Sequence, residues 1–448
     1  MIYKSVNINQ GRRVMFNASL HGRESEPQIT ISKVLMLVML VGFILTTLLF
    51  SLVSRVYAVN NTNNPISQNN NFQLSVVGNH VFSSNGKLYI PEGISVYGGL
   101  EDTDYMENVA NIDAQIIAAA KYWHANTIRL QIAESNLFNN TTSGKTYNNK
   151  FLQAILSQVN LARSLNMAVV LNDQTEFTSN TPGPTAMTAK FWKVMSRAFQ
   201  NQPYIIFDLF NEPRIGSAVS LNGQTVSSSR LVPLGISSHA GRTGSSRSIS
   251  ANTWNLWKNG GKVNGVTYIG MQTLVNQIRG YGVNNLIWVE GPNEARELPI
   301  GTYLIKGSNI VYSIHHPNLN NPTSWNRIGD LSKIAPVVDG EWAQYQSPWA
   351  ECYSHAYTNV PLYLNYLLTH QVGIIAWSLQ AGSLLKDSGY KIPSNLNTPN
   401  SPTTASDLKS PSQLFPSYDC GYEFGQGVGQ LLQNYFSLYA VPISLFTN

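Results

Sequence analysis

Two carboxylates stand at the ends of apolar runs in this chain, and their surroundings define the chemistry open to them. In residues 204–213, YIIFDLFNEP, the run Ile205, Ile206, Phe207, Leu209 and Phe210 leads directly into Asn211, Glu212 and Pro213. An apolar stretch this short, bounded by Pro203 and Pro213, predicts a strand covered on both faces, as in parallel sheets. Pro213 has no N–H for the ladder, so the strand ends there and Glu212 is held at the sheet rim on a rigid support. The second run, residues 334–344 (IAPVVDGEWAQ), passes through Val337 and Val338 to Gly340, Glu341 and Trp342. A carboxylate that attacks and a carboxyl that donates a proton are the minimal equipment for breaking a glycosidic bond. Glu212 alone also reads as a surface charge at a strand end; the second carboxylate in a matching context is what gives it weight.

Elements able to position such a pair recur along the chain. Residues 72–90 predict a β-hairpin, with a Gly-Asn turn and a Ser-Ser-Asn-Gly turn. Strands are then expected at 89–96, 127–132, 168–171, 204–213, 286–290, 310–314, 336–340 and 373–378, with helical patterns at 104–123, 151–165 and 191–199. Alternating strand and helix signals predict parallel βα units, and eight strands are the number a closed barrel needs. Two stretches rich in Ser, Gly, Asn and Pro, 215–262 and 386–420, come after the fourth and eighth strands, so both are expected over the carboxyl-terminal face. They read either as groove-shaping insertions or as passive loops.

Asn-Glu-Pro after the fourth strand and Glu341 at the end of the seventh make the chain resemble glycoside hydrolase family 5, the cellulase and mannanase family, over about residues 72–440. The resemblance implies an α/β fold, a (β/α)8 TIM barrel whose bottom is closed by the hairpin. It also implies a retaining enzyme with Glu212 as acid/base and Glu341 as nucleophile. The implied substrate is a β-linked polysaccharide, foremost β-1,4-glucan; a mannan- or exo-acting enzyme of the same family, a catalytically weak polysaccharide-binding barrel and a barrel of unrelated chemistry are the alternatives. Arg129 matches the family's arginine near the nucleophile, Asn211 the asparagine before the acid/base, His315 the strand-six histidine, and Trp377 the sugar-stacking tryptophan. Two positions depart from the pattern: Gln174, with Glu176 close behind, stands where the family has a histidine, and His316 and Pro317 come after His315 where a tyrosine is usual two residues on. Trp342 and Tyr345 are expected to border the groove. Glu290 and Glu294, in WVEGPNEARE, read as solvated loop charges. The mechanism needs two carboxyls and neither cofactor nor metal.

Composition agrees with a neutral substrate. Of 448 residues 43% are hydrophobic and only 12% charged, and residues 1–57, with Lys4, Arg12, Arg13, Arg23, Lys33 and Arg55 against Glu24 and Glu26, account for +4 of the formal +5. A folded part this close to neutrality argues against a nucleic-acid partner. Residues 34–53, VLMLVMLVGFILTTLLFSLV, carry no charge and are long enough to cross a bilayer. With basic residues before them, they predict a cytoplasmic tail at 1–33 and export of the chain beyond residue 53, either tethered to the outer face of the membrane or released after cleavage near Ala58. Residues 54–71 read as an Asn-rich linker and 72–448 as the catalytic domain, expected to act as a monomer. Cys352 and Cys420 have no metal-ligand spacing, and export would permit a disulfide between them.

Overall fold

A computed structural model describes residues 73–101, 105–138, 147–175, 181–200, 202, 204–215, 249–263, 265–315, 317, 322–342, 356–379, 384–386, 404–414 and 427–443. The 34–53 segment, the linker, Glu176, His316, Tyr345, Cys352 and Cys420 lie outside these residues. Among the described residues no helix is long and apolar enough to cross a membrane.

The chain enters through a hairpin, Leu74–Val77 (β1) and His80–Ser83 (β2), turned at Gly78 with φ +64°. The third run of the expected hairpin is reduced to one bridge, Phe82 to Leu88. Leu74, Val81 and Tyr89 share a buried cluster with Ala168, Val170, Ile206, Leu286, Trp288, Val311, Val338 and Ile375. Those partners are the inward-facing residues of the barrel strands, so the hairpin plugs the barrel from below.

Eight parallel strands close the ring: Glu92–Val96 (β3), Thr127–Ile132 (β4), Ala168–Asp173 (β5), Ile205–Asp208 (β6), Leu286–Glu290 (β9), Ile310–His315 (β10), Val337–Trp342 (β11) and Gly373–Ala376 (β12), the last returning to β3. Every one of them is buried along its length. That explains the near-continuous apolar runs: one face fills the lumen and the other meets the helices. On β5, Ala168 and Val170 fill the lumen while Val169 and Leu171 face the outer layer. On β4 the polar Arg129 takes a lumen position, with Ile128, Leu130 and Ile132 outside.

The outer layer carries Tyr105–Lys121 (α1), Glu134–Phe138 (α2), Asn149–Ser164 (α3), Ala186–Ala198 (α4), Ala251–Asn259 (α5), Met271–Gly280 (α6), Asn326–Ser332 (α7), Ala356–Thr369 (α8) and Gly429–Tyr439 (α9). Their starts reflect the residue types: Asn148 caps α3 through the Phe151 amide, and Thr185 with Thr188 forms a capping box on α4. Residues 291–309, between β9 and β10, hold a 3₁₀ turn at Gly301–Tyr303 and no α-helix, so the fifth βα unit is abbreviated. The insertion after the fourth strand is more than a loop. Its end forms α5 and runs on into a hairpin, Gly260–Val263 (β7) with Val266–Ile269 (β8), the second strand lying beyond the insertion, and Trp254 and Trp257 of α5 are buried.

At the amino end of β3, Glu92 is fully buried against Tyr435 of α9. Burial raises its carboxyl well above the ordinary value of 4.5, although the Ile374 amide and Tyr435 pull the other way. A carboxyl raised in the folded state stabilises fully below its unfolded value and loses that contribution as pH climbs through its folded one. Glu92→Gln, which mimics the neutral acid, should therefore be more stable than the parent at pH 8, by roughly 1–3 kcal/mol, and no better than the parent near pH 4. Denaturant melts at the two pH values measure this; an advantage that is the same at both would contradict it.

Candidate active site

Arg129 is the hub of the carboxyl-terminal mouth. Its side chain is fully buried and spends every nitrogen on the lumen. Nε donates to Asp208 Oδ2 at 3.0 Å, Nη1 to Glu341 Oε2 at 2.8 Å, and Nη2 to Asn211 Oδ1 at 2.8 Å and Glu290 Oε1 at 3.1 Å. An arginine inside an apolar strand is costly unless paired, and here four partners on three other strand ends repay it. Asn172 adds a donor to Asp208 at 3.0 Å.

Glu341 reaches the lumen through a departure from simple alternation. Strict period two on β11 would put Val338, Gly340 and Trp342 on one face and Asp339 with Glu341 on the other. Pairing of β11 with β10 instead shifts between Ile314 and His315, and its pairing with β12 shifts between Asp339 and Trp342. The extra residue at this bulge turns Glu341 inward, toward Arg129, and sends Trp342 outward. Gly340 is required at the crossing, because a Cβ there would lie 2.0 Å from Ser313 Oγ and 3.4 Å from His315 Nε2. The expectation that Trp342 borders the groove is thereby corrected. Its ring is fully buried in the outer layer, 6.0 Å from Tyr363 of α8.

Glu212 lies on the opposite side, just past β6, with a side chain 22% exposed. Its backbone sits in the left-handed region at φ +44°, uncommon for a residue with a Cβ. Its amide donates to Glu290 Oε2 at 2.6 Å, and its Oε1 is 3.2 Å from His315 Nδ1. His315 Nε2 in turn lies 3.1 Å from Glu290 Oε1. Both ring nitrogens thus face carboxylates, which suits the doubly protonated imidazolium. Burial opposes that charge, but Glu290 and the contacts with Glu212 and Glu290 outweigh it and raise the imidazole well above 6.5. One ligand atom each of Glu212, His315 and Glu341 lie within 4.8 Å of one another. A cation could sit among such atoms, yet the guanidinium of Arg129 and the imidazole of His315 already supply positive charge to these carboxylates.

Glu290 corrects the sequence reading most. It was expected as a solvated loop charge and is instead fully buried in the lumen, touching Arg129, His315 and the Glu212 amide. Burial opposes its ionisation, but His315 and Arg129 bring it below the usual carboxylate value. Asp208 goes the other way: burial and the charge of Glu290 push it up to about 8 against the pull of Arg129 and His315. Of the two, Asp208 is held toward its neutral form and Glu290 toward its charged one. Glu294 fits its reading as a surface group, 30% exposed and 3.7 Å from Arg296.

Of the remaining predicted residues, Asn211 is buried with its side-chain oxygen on Arg129 and its amide on the Asp173 carbonyl at 2.9 Å. Gln174 is buried at the end of the third barrel strand and accepts from Gln131 at 3.1 Å. Trp377 is half-buried past β12 and meets Tyr97 edge-on, with ring centroids 5.1 Å apart. Tyr97, half-buried past β3, was not singled out in the sequence; its place two residues after the inward Ser95 is the signal that could have found it. Behind the third strand lies a second carboxyl pair: burial and then Glu134 raise Asp173, and burial pushes Glu134 up to about 7.

A family model described as cellulase (glycosyl hydrolase family 5) matches residues 92–383. No curated protein matches the chain. Among solved structures, one from Cytophaga hutchinsonii is 16% identical with a TM-score of 0.49, covering 82% of this chain and 94% of its own. A β-glucanase from Saccharophagus degradans is 19% identical with a TM-score of 0.48, covering 71% and 89%. The catalytic domain of an endoglucanase from Thermobifida fusca is 12% identical with a TM-score of 0.48, covering 82% and 97%. The assignment rests on the family model, which takes in all eight barrel strands from Glu92 to Ala376: the chain belongs to glycosyl hydrolase family 5, the cellulase family, and is a glycoside hydrolase.

Proposed function

We propose that the protein hydrolyses β-linked polysaccharide, β-1,4-glucan first among candidates, with retention of anomeric configuration. The observation that carries this reading is the approach of Glu212 and Glu341, whose oxygens come within 4.8 Å across the mouth. Retaining glycosidases hold their carboxyls about 5–5.5 Å apart, whereas inverting ones need about 6.5–9.5 Å to admit a water.

In the first step Glu341 attacks the anomeric carbon as the bond to the glycosidic oxygen breaks, and Glu212 gives that oxygen its proton. In the second, Glu212 takes a proton from water, the resulting hydroxide attacks the anomeric carbon, and the bond to Glu341 breaks. Arg129, 2.8 Å from Glu341, favours the ionised nucleophile. Asn211, anchored by Arg129, is placed to meet the sugar 2-hydroxyl, and Trp377 offers an aromatic face to a pyranose. Gln174 would contact the neighbouring ring in place of a histidine. The uncharged segment at 34–53 supports export, tethered or secreted, toward such a substrate.

Two measurements test the reading. Reducing-end release over soluble glucans, mannans and xylans should be largest on a β-1,4-glucan; a preference for mannan would move the assignment within the family. Proton NMR of early products should show the β-anomer first, with the α-anomer growing only by mutarotation. Initial release of the α-anomer would rule out the double displacement.

A further inference from the structure

We propose that Glu290 is a positioning residue of the hydrolase: one carboxylate that sets Glu212 and Glu341 relative to each other by bridging the amide of the first, the guanidinium holding the second, and the imidazole beside both. The proposal rests on the reading of Glu212 and Glu341 as the reacting pair.

Three contacts converge on this side chain. Oε2 accepts the Glu212 amide at 2.6 Å, while Oε1 lies 3.1 Å from Arg129 Nη2 and 3.1 Å from His315 Nε2. The first contact acts on backbone. Glu212 is in the left-handed region at φ +44°, a conformation that persists for a residue with a Cβ only where its surroundings enforce it, and an ionised acceptor on its own N–H is a strong enforcement. The second and third act on side chains, because Arg129 and His315 go on to Glu341 and Glu212. Glu290 is itself anchored through both backbone and side chain. It ends β9, is fully buried, and its carbonyl accepts Trp257 Nε1 of α5 at 2.7 Å. The groups facing the imidazole are Glu290, Glu212 and Glu341, with Arg129 and Asp208 behind them. Glu290 is the largest of the attractions keeping it protonated.

A purely structural buried glutamate would give a stability loss alone. A positioning role gives three further signatures. Glu290→Gln should lower kcat on an aryl β-glycoside about 10²-fold, the cost of a displacement of the order of an ångström, with KM changed less than about threefold. Glu290→Asp, which keeps the charge, should recover part of that loss. In ¹⁵N-histidine NMR, His315 should hold its proton to higher pH than an ordinary imidazole in the parent and give it up at clearly lower pH in Glu290→Gln. Parental kcat in Glu290→Gln, a defect confined to KM, or an unmoved His315 titration would each overturn the proposal. Should Glu290→Gln not fold, the parent decides: the Glu212 amide must resonate far downfield and exchange slowly, and an ordinary, fast-exchanging amide refutes the bridge. The NMR readouts do not depend on hydrolysis. A parent whose Glu341→Gln variant stays active fails as a retaining glycosidase, whereas an inactive Glu341→Gln beside a parental Glu290→Gln removes the role of Glu290 alone.

Discussion

Glu341→Gln should leave a folded protein whose kcat/KM on an activated aryl β-glycoside is lower by about 10⁴-fold or more, equivalent to roughly 5 kcal/mol of transition-state stabilisation. On the proposed double displacement the amide cannot attack the anomeric carbon, so the covalent path is gone, while Glu212 and the residues proposed to hold the sugar remain. The fold should tolerate the change: the glutamine oxygen can still accept from Arg129, and Asp208 and Glu290 continue to hold that guanidinium. Glycan binding should stay within a few-fold of the parent, measurable by calorimetry with a soluble oligosaccharide. The aryl substrate matters, because its good leaving group needs little help from Glu212 and so isolates the nucleophile. Activity within tenfold of the parent would end the assignment of Glu341. The parallel Glu212→Ala should spare the aryl glycoside far more than the natural polysaccharide, whose poor leaving group requires the proton.

Arg129→Met should be the most destabilising single change in the mouth of the barrel. Removing the guanidinium leaves Asp208 and Glu290 fully buried, and Glu341 nearly so, with His315, among the described residues, as the remaining cation beside them. Breaking a buried pair by deleting one partner costs about 3–5 kcal/mol, because the remaining charge is stranded. The pH dependence identifies the cause. Asp208 already sits at about 8 in the parent, from burial and the charge of Glu290, and loss of Arg129 pushes the carboxyls of the cluster further up. Carboxyls raised in the folded state withdraw stability as pH climbs through their folded values, so the deficit should be smallest near pH 4 and grow toward pH 9. Urea unfolding across that range measures it. A deficit independent of pH would mean that the loss is one of packing.

The barrel was legible because its strands are buried on both faces, which writes each as an apolar run: 127–132 and 286–290 coincide with observed strands. Helix ends were less so. The pattern at 191–199 begins a turn and a half inside α4, since the capping box at Thr185 and Thr188 uses side chains with no apolar periodicity. In the site, Glu212 and Glu341 stood out through motif context, and Arg129 because a cation inside TIRLQI must find a partner. Glu290 was missed although its signal was of the same kind. It ends an apolar strand in step with Trp288, which faces the lumen, and the reasoning that singled out Glu212 applies to it unchanged. Trp342 failed for the opposite reason: proximity to Glu341 in sequence suggested proximity in space, and the bulge at Gly340 separates them. No local pattern announces that bulge, because it is defined by pairing with β10 and β12.

Closure of the ring by β3 against β12 joins Gly93 to Ile375, so the first and last staves meet only after nearly all the intervening chain exists. A growing polypeptide emerging from the ribosome would therefore carry an unsealed edge, and an unfilled lumen above the Leu74 plug, for most of its synthesis. Contacts this distant along the chain slow folding and prolong exposure of apolar surface. The same seam that gives the finished enzyme a sheet without edges makes its biogenesis dependent on keeping the incomplete barrel from pairing with its neighbours.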